Sequence, residues 1–282
     1  HPDVMTMEMA FYGDLVSKDI GSAGYSSQIF YEWQHKTIAH NTVIINQTDQ
    51  TYTPVGEGIW PEGIIEYYDD THIIAKSKNV YECVDYMRDM KIDGNKVYDI
   101  FNIKAVDVLD LDYVFYCKGK CIIDYKYENV DKIGNDEGYQ HLFDIKKIDN
   151  SSAVTIKFDI EDKIVYVTVE PEEGSILYVV NSYVNNFNDT RQGIIVRRKS
   201  KEETYKVTYE CVMKWNNMHT CEDLIIKESM CDCFRRLKLE HMFVIMQDIA
   251  YKDLETYGCG RKSLLDNDIA FLLRRSIVNV IN

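Results

Sequence analysis

Proline is scarce in this chain. Only four occur in 282 residues, and none falls inside the alternating apolar runs described below, so none of those runs is demoted by a missing backbone donor. Long apolar runs are lacking too. No stretch approaches the roughly 18 consecutive apolar residues of a membrane-spanning helix, and the N-terminus has no basic segment leading into an apolar core. The chain as given reads as soluble and without an address. Positive charge also falls short, because 32 Lys and Arg face 46 Asp and Glu, a formal net charge of -14. This balance argues against non-specific nucleic-acid binding, which rests on phosphate neutralisation by Lys and Arg. An acidic ligand would need a local concentration of cations. The denser candidates are Arg197, Arg198, Lys199 and Lys201, then Arg235 and Arg236, then Arg274 and Arg275, each read first as a solvated strand end or helix face.

What is present describes an ordered globular protein. Hydrophobic residues make up 45% of the chain, enough for a sizeable core. The eight cysteines include two close pairs, Cys117 with Cys121 in "CKGKC" and Cys231 with Cys233 in "CDC". Neither has a matching second pair at zinc-ribbon spacing, so they read as reduced thiols of a cytoplasmic-type protein. The chain begins at His1 and not at a methionine, which reads as a processed or excised piece, so a periplasmic or secreted parent stays open. The N-x-S/T matches at Asn46, Asn150 and Asn188 are expected by chance and decide nothing.

The fold class follows from periodicity. Through the first two-thirds, short runs alternate apolar and polar residues: "HIIAKS", "VYDIFNIKAV", "LDYVFYCK", "AVTIKFDI", "KIVYVTV", "SILYVV", "GIIVRR" and "TYKVTYECV". Between them "KIDGNK", "KIGNDEG" and "EPEEG" supply turn residues, and Asp93-Gly94 marks a hairpin. The expectation is an all-β, multi-stranded antiparallel β-sandwich over residues 1–215. From about residue 216 the apolar spacing changes to three and four, which predicts a possible helical segment over 216–282.

Chemistry concentrates near the N-terminus. "KTIAHNTVIINQ" puts a His–Asn pair at the mouth of a strand-like run, Thr42 to Ile45, which reads as half-buried. His40 there, Asp19 in "VSKDIG" and His1 in "HPDV" stand at the ends of strand-like runs, where neighbouring strands of one sheet would bring them together. Two imidazoles and a carboxylate are a common zinc ligand set, with water as a fourth ligand. The plainer reading makes His40 a hydrogen-bonded strand-end histidine.

These residues also carry a resemblance. His1 with Asp3 (H-x-D), Gly13 in a turn, Asp19 with Gly21, Tyr25, then Thr37, Ala39, His40, Asn41 and Thr42 (T-x-A-H-N-T) with Gln50 follow in order. Together they resemble the opening of the C-terminal domain of the heparinase II/III-like polysaccharide lyases, nearest the oligoalginate-lyase branch. "YDIFNIKAVDVLDLDYVFYCKG", "GYQHLFDIKK" and "QGIIVRRKSKEETYKVTYE" extend the resemblance over about residues 1–212. It implies a structural zinc ion held by His1, Asp19 and His40, bracing the sheet beside a cleft. It also implies cleavage next to a uronic acid by β-elimination, with the main acid and base on an N-terminal helical toroid of the same parent protein. The catalytic residues of such a reaction are therefore not assigned here, Tyr25 being the candidate within this chain. Tyr31, Trp33, His35 and Lys36 in "FYEWQHKT" are candidates to contact a uronate of an acidic poly- or oligosaccharide. The family commonly carries Tyr-Arg-Arg before that Thr, whereas Gln34, His35 and Lys36 stand here, so His35 or Lys36 would take over the arginine's contact. His141 in "GYQHL" reads as a structural strand histidine, and His72, His219 and His241 have no partner legible in sequence.

Three readings compete. The first is the β-sandwich part of such a lyase, inactive by itself. The second is a zinc-braced carbohydrate-binding or structural domain without activity. The third is a cupin-like or jelly-roll metalloenzyme using the same His and Asp residues directly.

Overall fold

Fourteen strands run through residues 2–50 and 63–214, the residues that the computed structural model describes. In chain order they are β1 (Met9–Phe11), β2 (Asp14–Ser17), β3 (Val43–Ile45), β4 (Gly63–Tyr68), β5 (His72–Tyr81), β6 (Val84–Asp93), β7 (Lys96–Cys117), β8 (Lys120–Ile122), β9 (Glu128–Val130), β10 (Phe143–Asp149), β11 (Val154–Ile160), β12 (Lys163–Val169), β13 (Ile176–Tyr183) and β14 (Thr190–Met213). Every pairing between them is antiparallel. The chain divides into two compact units, His1–Lys214 and Trp215–Asn282. The helical segment expected over 216–282 lies outside the described residues.

Two long strands build the sandwich. The first half of β7 pairs with β6, and its second half pairs with β3. β14 runs alongside β7 throughout, pairing with β13 by its first half and with β12 by its second. One layer is therefore β4-β5-β6-β7-β14-β12-β11-β8, and the other is β3-β7-β14-β13-β10-β9, with β7 and β14 crossing between them. At the crossing Val106 and Val108 face solvent, and the β7–β14 register shifts between Ser200 and Glu202. The stretches joining the runs "VYDIFNIKAV" to "LDYVFYCK" and "GIIVRR" to "TYKVTYECV" are not turns. They are the bends of continuous strands 22 and 24 residues long, which leave one layer and enter the other where both faces meet water.

Alternation of side chains explains the two cores. In the second layer Tyr113, Phe115, Leu177, Val179, Ile194 and Val196 point between the layers and meet Tyr86, Phe101, Phe158, Val165, Tyr205 and Tyr209 of the first. Their neighbours Val114, Tyr116, Tyr178, Val180 and Ile195 point to the opposite face, where Ile20, Ile29, Trp33, Ile38 and Tyr139 cover them. Residues 111–117 are consequently buried without a break, as strands covered on both faces are. β3 behaves likewise, all three of its residues being buried, so the half-buried expectation for this strand is corrected. The segment covering the outer face contains a π-helical turn (Phe30–Gln34) and a 3₁₀ turn (Thr37–Ala39). That cover positions the site.

Candidate functional site

The A-H-N-T motif is a clasp on the N-terminal segment. Thr37 Oγ1 donates to the Pro2 carbonyl (2.9 Å) and Thr42 Oγ1 to the Val4 carbonyl (2.7 Å). Asn41 Nδ2 donates to the Met7 carbonyl (2.9 Å) and Ser17 Oγ (3.0 Å), while its Oδ1 accepts from the Tyr116 amide (2.8 Å). Gln50 holds both backbone groups of Val4, its Oε1 accepting at 2.7 Å and its Nε2 donating at 3.1 Å. Buried polar groups are costly unless paired, so these bonds fix where residues 2–8 lie. A further tie comes from Arg88, whose Nη1 donates to the Met5 and Asn41 carbonyls (2.5 and 2.7 Å).

The clasp delivers three donors to one point. Asp3, Asp19 and His40 each place a ligand-type atom within 4.8 Å of the other two. His40 is buried, with Nδ1 2.8 Å from Asp19 Oδ1 and Nε2 3.2 Å from the Gln34 carbonyl oxygen. Both ring nitrogens face acceptors, and the tautomer decides which of them donates; with the hydrogen on Nε2, toward the carbonyl, Nδ1 presents a lone pair beside the carboxylates. Histidine ligands are held in this way, one nitrogen toward the metal and the other toward a backbone carbonyl. The donor set of carboxylates and imidazole suits zinc. Asp19 and His40 stand together, although not as neighbours in one sheet: Asp19 follows β2 of the two-stranded sheet and His40 precedes β3 of the large one. His1 lies outside the described residues. Asp3 is the donor that sequence reasoning noted only as a motif residue; its H-x-D spacing from His1 was the available signal.

A cleft of ≈ 500 Å³ opens beside this cluster, lined by Asp3, Asp19, Tyr25 and His35 among others. Tyr25, Phe30 and His35 form its aromatic wall. Tyr25 and Tyr31 each meet Phe30 edge-on at 5.1 Å, and His35 lies 5.5 Å from it. Tyr25 is 80% and Tyr31 57% exposed, so both rings are open to a ligand. Trp33 and Lys36 are placed elsewhere. Trp33 is fully buried with its indole N–H donating to the Tyr183 carbonyl (2.8 Å). The Lys36 ammonium is held by Asp49 (2.9 Å) and Glu137 (2.5 Å). Burial works to lower the pKa of Lys36, but the bonds to Glu137 and Asp49 outweigh it and raise it. Gly138 makes this contact possible: its φ is +92°, and a Cβ there would stand 2.5 Å from Ile38 and 3.0 Å from Lys36. His141 sits in a 3₁₀ turn (Tyr139–His141) and not in a strand, packed against Trp33, Tyr183 and Phe187.

In the cationic stretch expected from sequence, Arg197, Arg198 and Lys199 are paired and Lys201 is exposed. Arg197 is bound to Asp112 (2.6 Å), Arg198 to Glu203 (2.9 Å) and Lys199 to Asp110 (3.5 Å). Arg235, Arg236, Arg274 and Arg275 lie outside the described residues. Burial tends to lower both Arg88 and Arg197, yet Asp99 and Asp112 raise them. Arg191 goes the other way, pushed down by burial to about 10. Its guanidinium lies 4.0 Å above the Tyr116 ring and donates to the carbonyls of Ala39 (2.5 Å) and Lys18 (3.4 Å), the residues before His40 and Asp19. His72 has a partner after all, Asp89 at 2.7 Å. The described cysteines, Cys83, Cys117, Cys121 and Cys211, are free thiols.

Residues 1–98 match the family described as heparinase II/III-like, C-terminal. This chain resembles the C-terminal β-domain of the heparinase II/III-like polysaccharide lyases. The exo-oligoalginate lyase of Saccharophagus degradans is 28% identical over 191 residues, covering 60% of this chain and 26% of that protein. Among solved structures, a heparinase III superposes with a TM-score of 0.54 at 14% identity, over 75% of this chain and 30% of the other. The heparan sulfate lyase HepC of Pedobacter heparinus gives 0.53 at 13% identity, over 76% of this chain and 31% of the other. The structural likeness carries the β-sandwich fold. The chain spans about a quarter to a third of these heparinase II/III-like relatives.

Proposed function

We propose that the chain is the β-sandwich part of a polysaccharide lyase that cleaves uronic-acid-containing poly- or oligosaccharides by β-elimination. One observation carries this reading: a single cleft is lined at once by the Asp3–Asp19 carboxylates and by Tyr25 and His35. β-Elimination has three requirements. The uronate carboxylate must be neutralised so that the C5 proton becomes removable, a base must take that proton, and the oxygen leaving C4 must be protonated as the C4–C5 double bond forms. Tyr25 offers a phenolic hydroxyl to the sugar, Tyr31 a face to stack on, and His35 a donor toward the carboxylate. The main acid and base belong, on this reading, to an N-terminal α/α-toroid domain of the parent protein, so this chain alone binds without turning over.

Asp3, Asp19 and His40, with His1 from the same segment, would hold a structural zinc ion. Bound there, zinc would supply a positive charge and a cross-link between the N-terminal segment and the strap before β3, bracing the cleft wall without acting on the substrate.

The exposed Tyr25 and Tyr31 rings also favour a second reading, a zinc-braced carbohydrate-binding domain without activity of its own. Titrating the chain with mannuronate and heparan sulfate oligosaccharides, while following ultraviolet absorbance of unsaturated uronate, separates the cases. The lyase reading expects binding that weakens roughly tenfold in Tyr25→Ala, a loss of about 1.4 kcal/mol, and elimination once a toroid domain is supplied. Binding without elimination in that two-domain protein would leave the second reading standing.

A further inference from the structure

A second cleft, of ≈ 670 Å³, shares Asp19 and Gly21 with the first. In a chain of net charge -14, its charged lining is Lys18, Lys118, Lys120 and Arg191 against Asp19 and Asp189. Four cations against two carboxylates invert the sign of the molecule at this place. The carboxylates are partly engaged, Asp19 with His40 (2.8 Å) and Asp189 with Asn185 Nδ2 (3.0 Å). Lys118 is paired with Asp14. Lys18 and Lys120 are exposed and take part in no ion pair among the described residues. Arg191 is likewise met by backbone carbonyls and a Tyr116 ring, and by no carboxylate contact among the described residues.

The "CKGKC" motif explains how the lysines are presented. β7 ends at Cys117 and β8 begins at Lys120, so Lys118-Gly119 is the whole connection. Gly119 has φ +94°, and a Cβ there would lie 2.4 Å from the Asp159 carbonyl oxygen. Only glycine lets the turn press against β11 in this way, which sets Lys118 and Lys120 at the cleft edge. Lys18 follows β2, whose Val16 carbonyl accepts from the Lys118 amide (2.9 Å), and its own carbonyl accepts from Arg191 (3.4 Å).

We propose that this second cleft is a subsite for the carboxylate of an acidic sugar, contacted by Lys18 and Lys120 and positioned by Arg191. The kind of ligand rests on the lyase reading above; the cationic character of the cleft does not. Ammonium groups are point charges that recognise a carboxylate without demanding one orientation. An oligosaccharide charged at each ring would thus run from the Tyr25 cleft across Asp19–Gly21 onto the lysines.

The test uses the full chain with a mannuronate tetrasaccharide, the same tetrasaccharide after carboxyl reduction, and inorganic sulfate. Affinity is read by calorimetry at low and high salt, and the site by amide shifts of Gly119, Tyr25 and His35. The expected result is a shift at Gly119 with the charged sugar alone, and at least tenfold weaker, less salt-dependent binding in Lys18→Gln/Lys120→Gln. These exposed substitutions leave the fold intact, which the melting temperature checks. Unchanged affinity in the double variant overturns the proposal, as does an equal Gly119 shift with the reduced sugar. Sulfate moving Gly119 while the tetrasaccharide does not would overturn the assignment to sugar. Shifts at Tyr25 and His35 without Gly119 would sink the subsite and leave the lyase reading in place. A Gly119 shift without the other two would keep the subsite and count against the Tyr25 cleft.

Discussion

His40 meets a carboxylate with one ring nitrogen and a carbonyl with the other, at a position that is 1% exposed. Truncation to alanine removes both contacts from a buried position, a loss of about 2–4 kcal/mol. Elemental analysis should find about one zinc per wild-type chain and none in His40→Ala. A chelator should lower the melting temperature of the wild type and leave that of the variant unmoved; equal behaviour of the two would sink the metal reading. His141 carries a separate pH dependence. Burial lowers its pKa from the ordinary 6.5, and Glu32 offsets this in part. A histidine whose folded pKa lies below its unfolded value binds fewer protons when folded, so its contribution favours folding above about 6.5 and is lost as pH falls through that value. Urea midpoints at pH 7.5 and 5.5 should therefore differ less in His141→Gln than in the wild type, after which the Trp33 packing no longer titrates.

At the scale of elements, the β6–β7 pair carries the most exacting interaction. Arg88 on β6 meets Asp99 on β7 with two bonds, Nε–Oδ1 at 3.0 Å and Nη2–Oδ2 at 2.5 Å, and Asp99 also accepts from the Tyr113 hydroxyl at 2.6 Å. Both ionic groups are buried. Arg88→Met would strand the Asp99 carboxylate and release the Met5 and Asn41 carbonyls, costing about 3–5 kcal/mol. Arg88→Met with Asp99→Leu should cost less than the single change, because no unpaired charge remains; denaturant midpoints decide it. This pair also explains part of what sequence hid. Nothing in "VDYMRDMKID" or "VYDIFNIKAV" marks Arg88 and Asp99 as partners, since charges at alternate strand positions ordinarily face water. The hairpin around Gly94 was legible, because Gly94 opens a two-residue loop with φ +60° between β6 and β7. The continuity of β7 and β14 was not, because a polar bend and a loop share one composition.

For the whole described unit, those two strands join the layers covalently and by hydrogen bonds, and the two cores lie on opposite faces of one layer. Neither core can be lost without disturbing the strands that line the other. A single cooperative transition is expected. With Trp60→Phe and Trp215→Phe, the fluorescence of Trp33 reports the outer core, and its urea midpoint should coincide with that of far-ultraviolet circular dichroism. Two separated midpoints would show the outer cover melting by itself.

Alternation of apolar and polar residues, being a local property with period two, determined the strands, their antiparallel class and the sandwich. The order His1, Asp3, Asp19, Tyr25, His40 likewise determined the resemblance. What only the tertiary structure decided is which of the named side chains share a space. Tyr25, Tyr31 and His35 gather on Phe30, whereas Trp33, in the π-helical turn, is buried and Lys36, beyond it, is held by Asp49 and Glu137. The cleft cations came from Lys18, Lys118, Lys120 and Arg191 and not from the denser Arg197–Lys201 run, in which Arg197, Arg198 and Lys199 are held by Asp112, Glu203 and Asp110. Charge density along a chain says nothing about neutralisation, because the partners of a strand residue are set by register across the sheet, and register is a property of the packed whole.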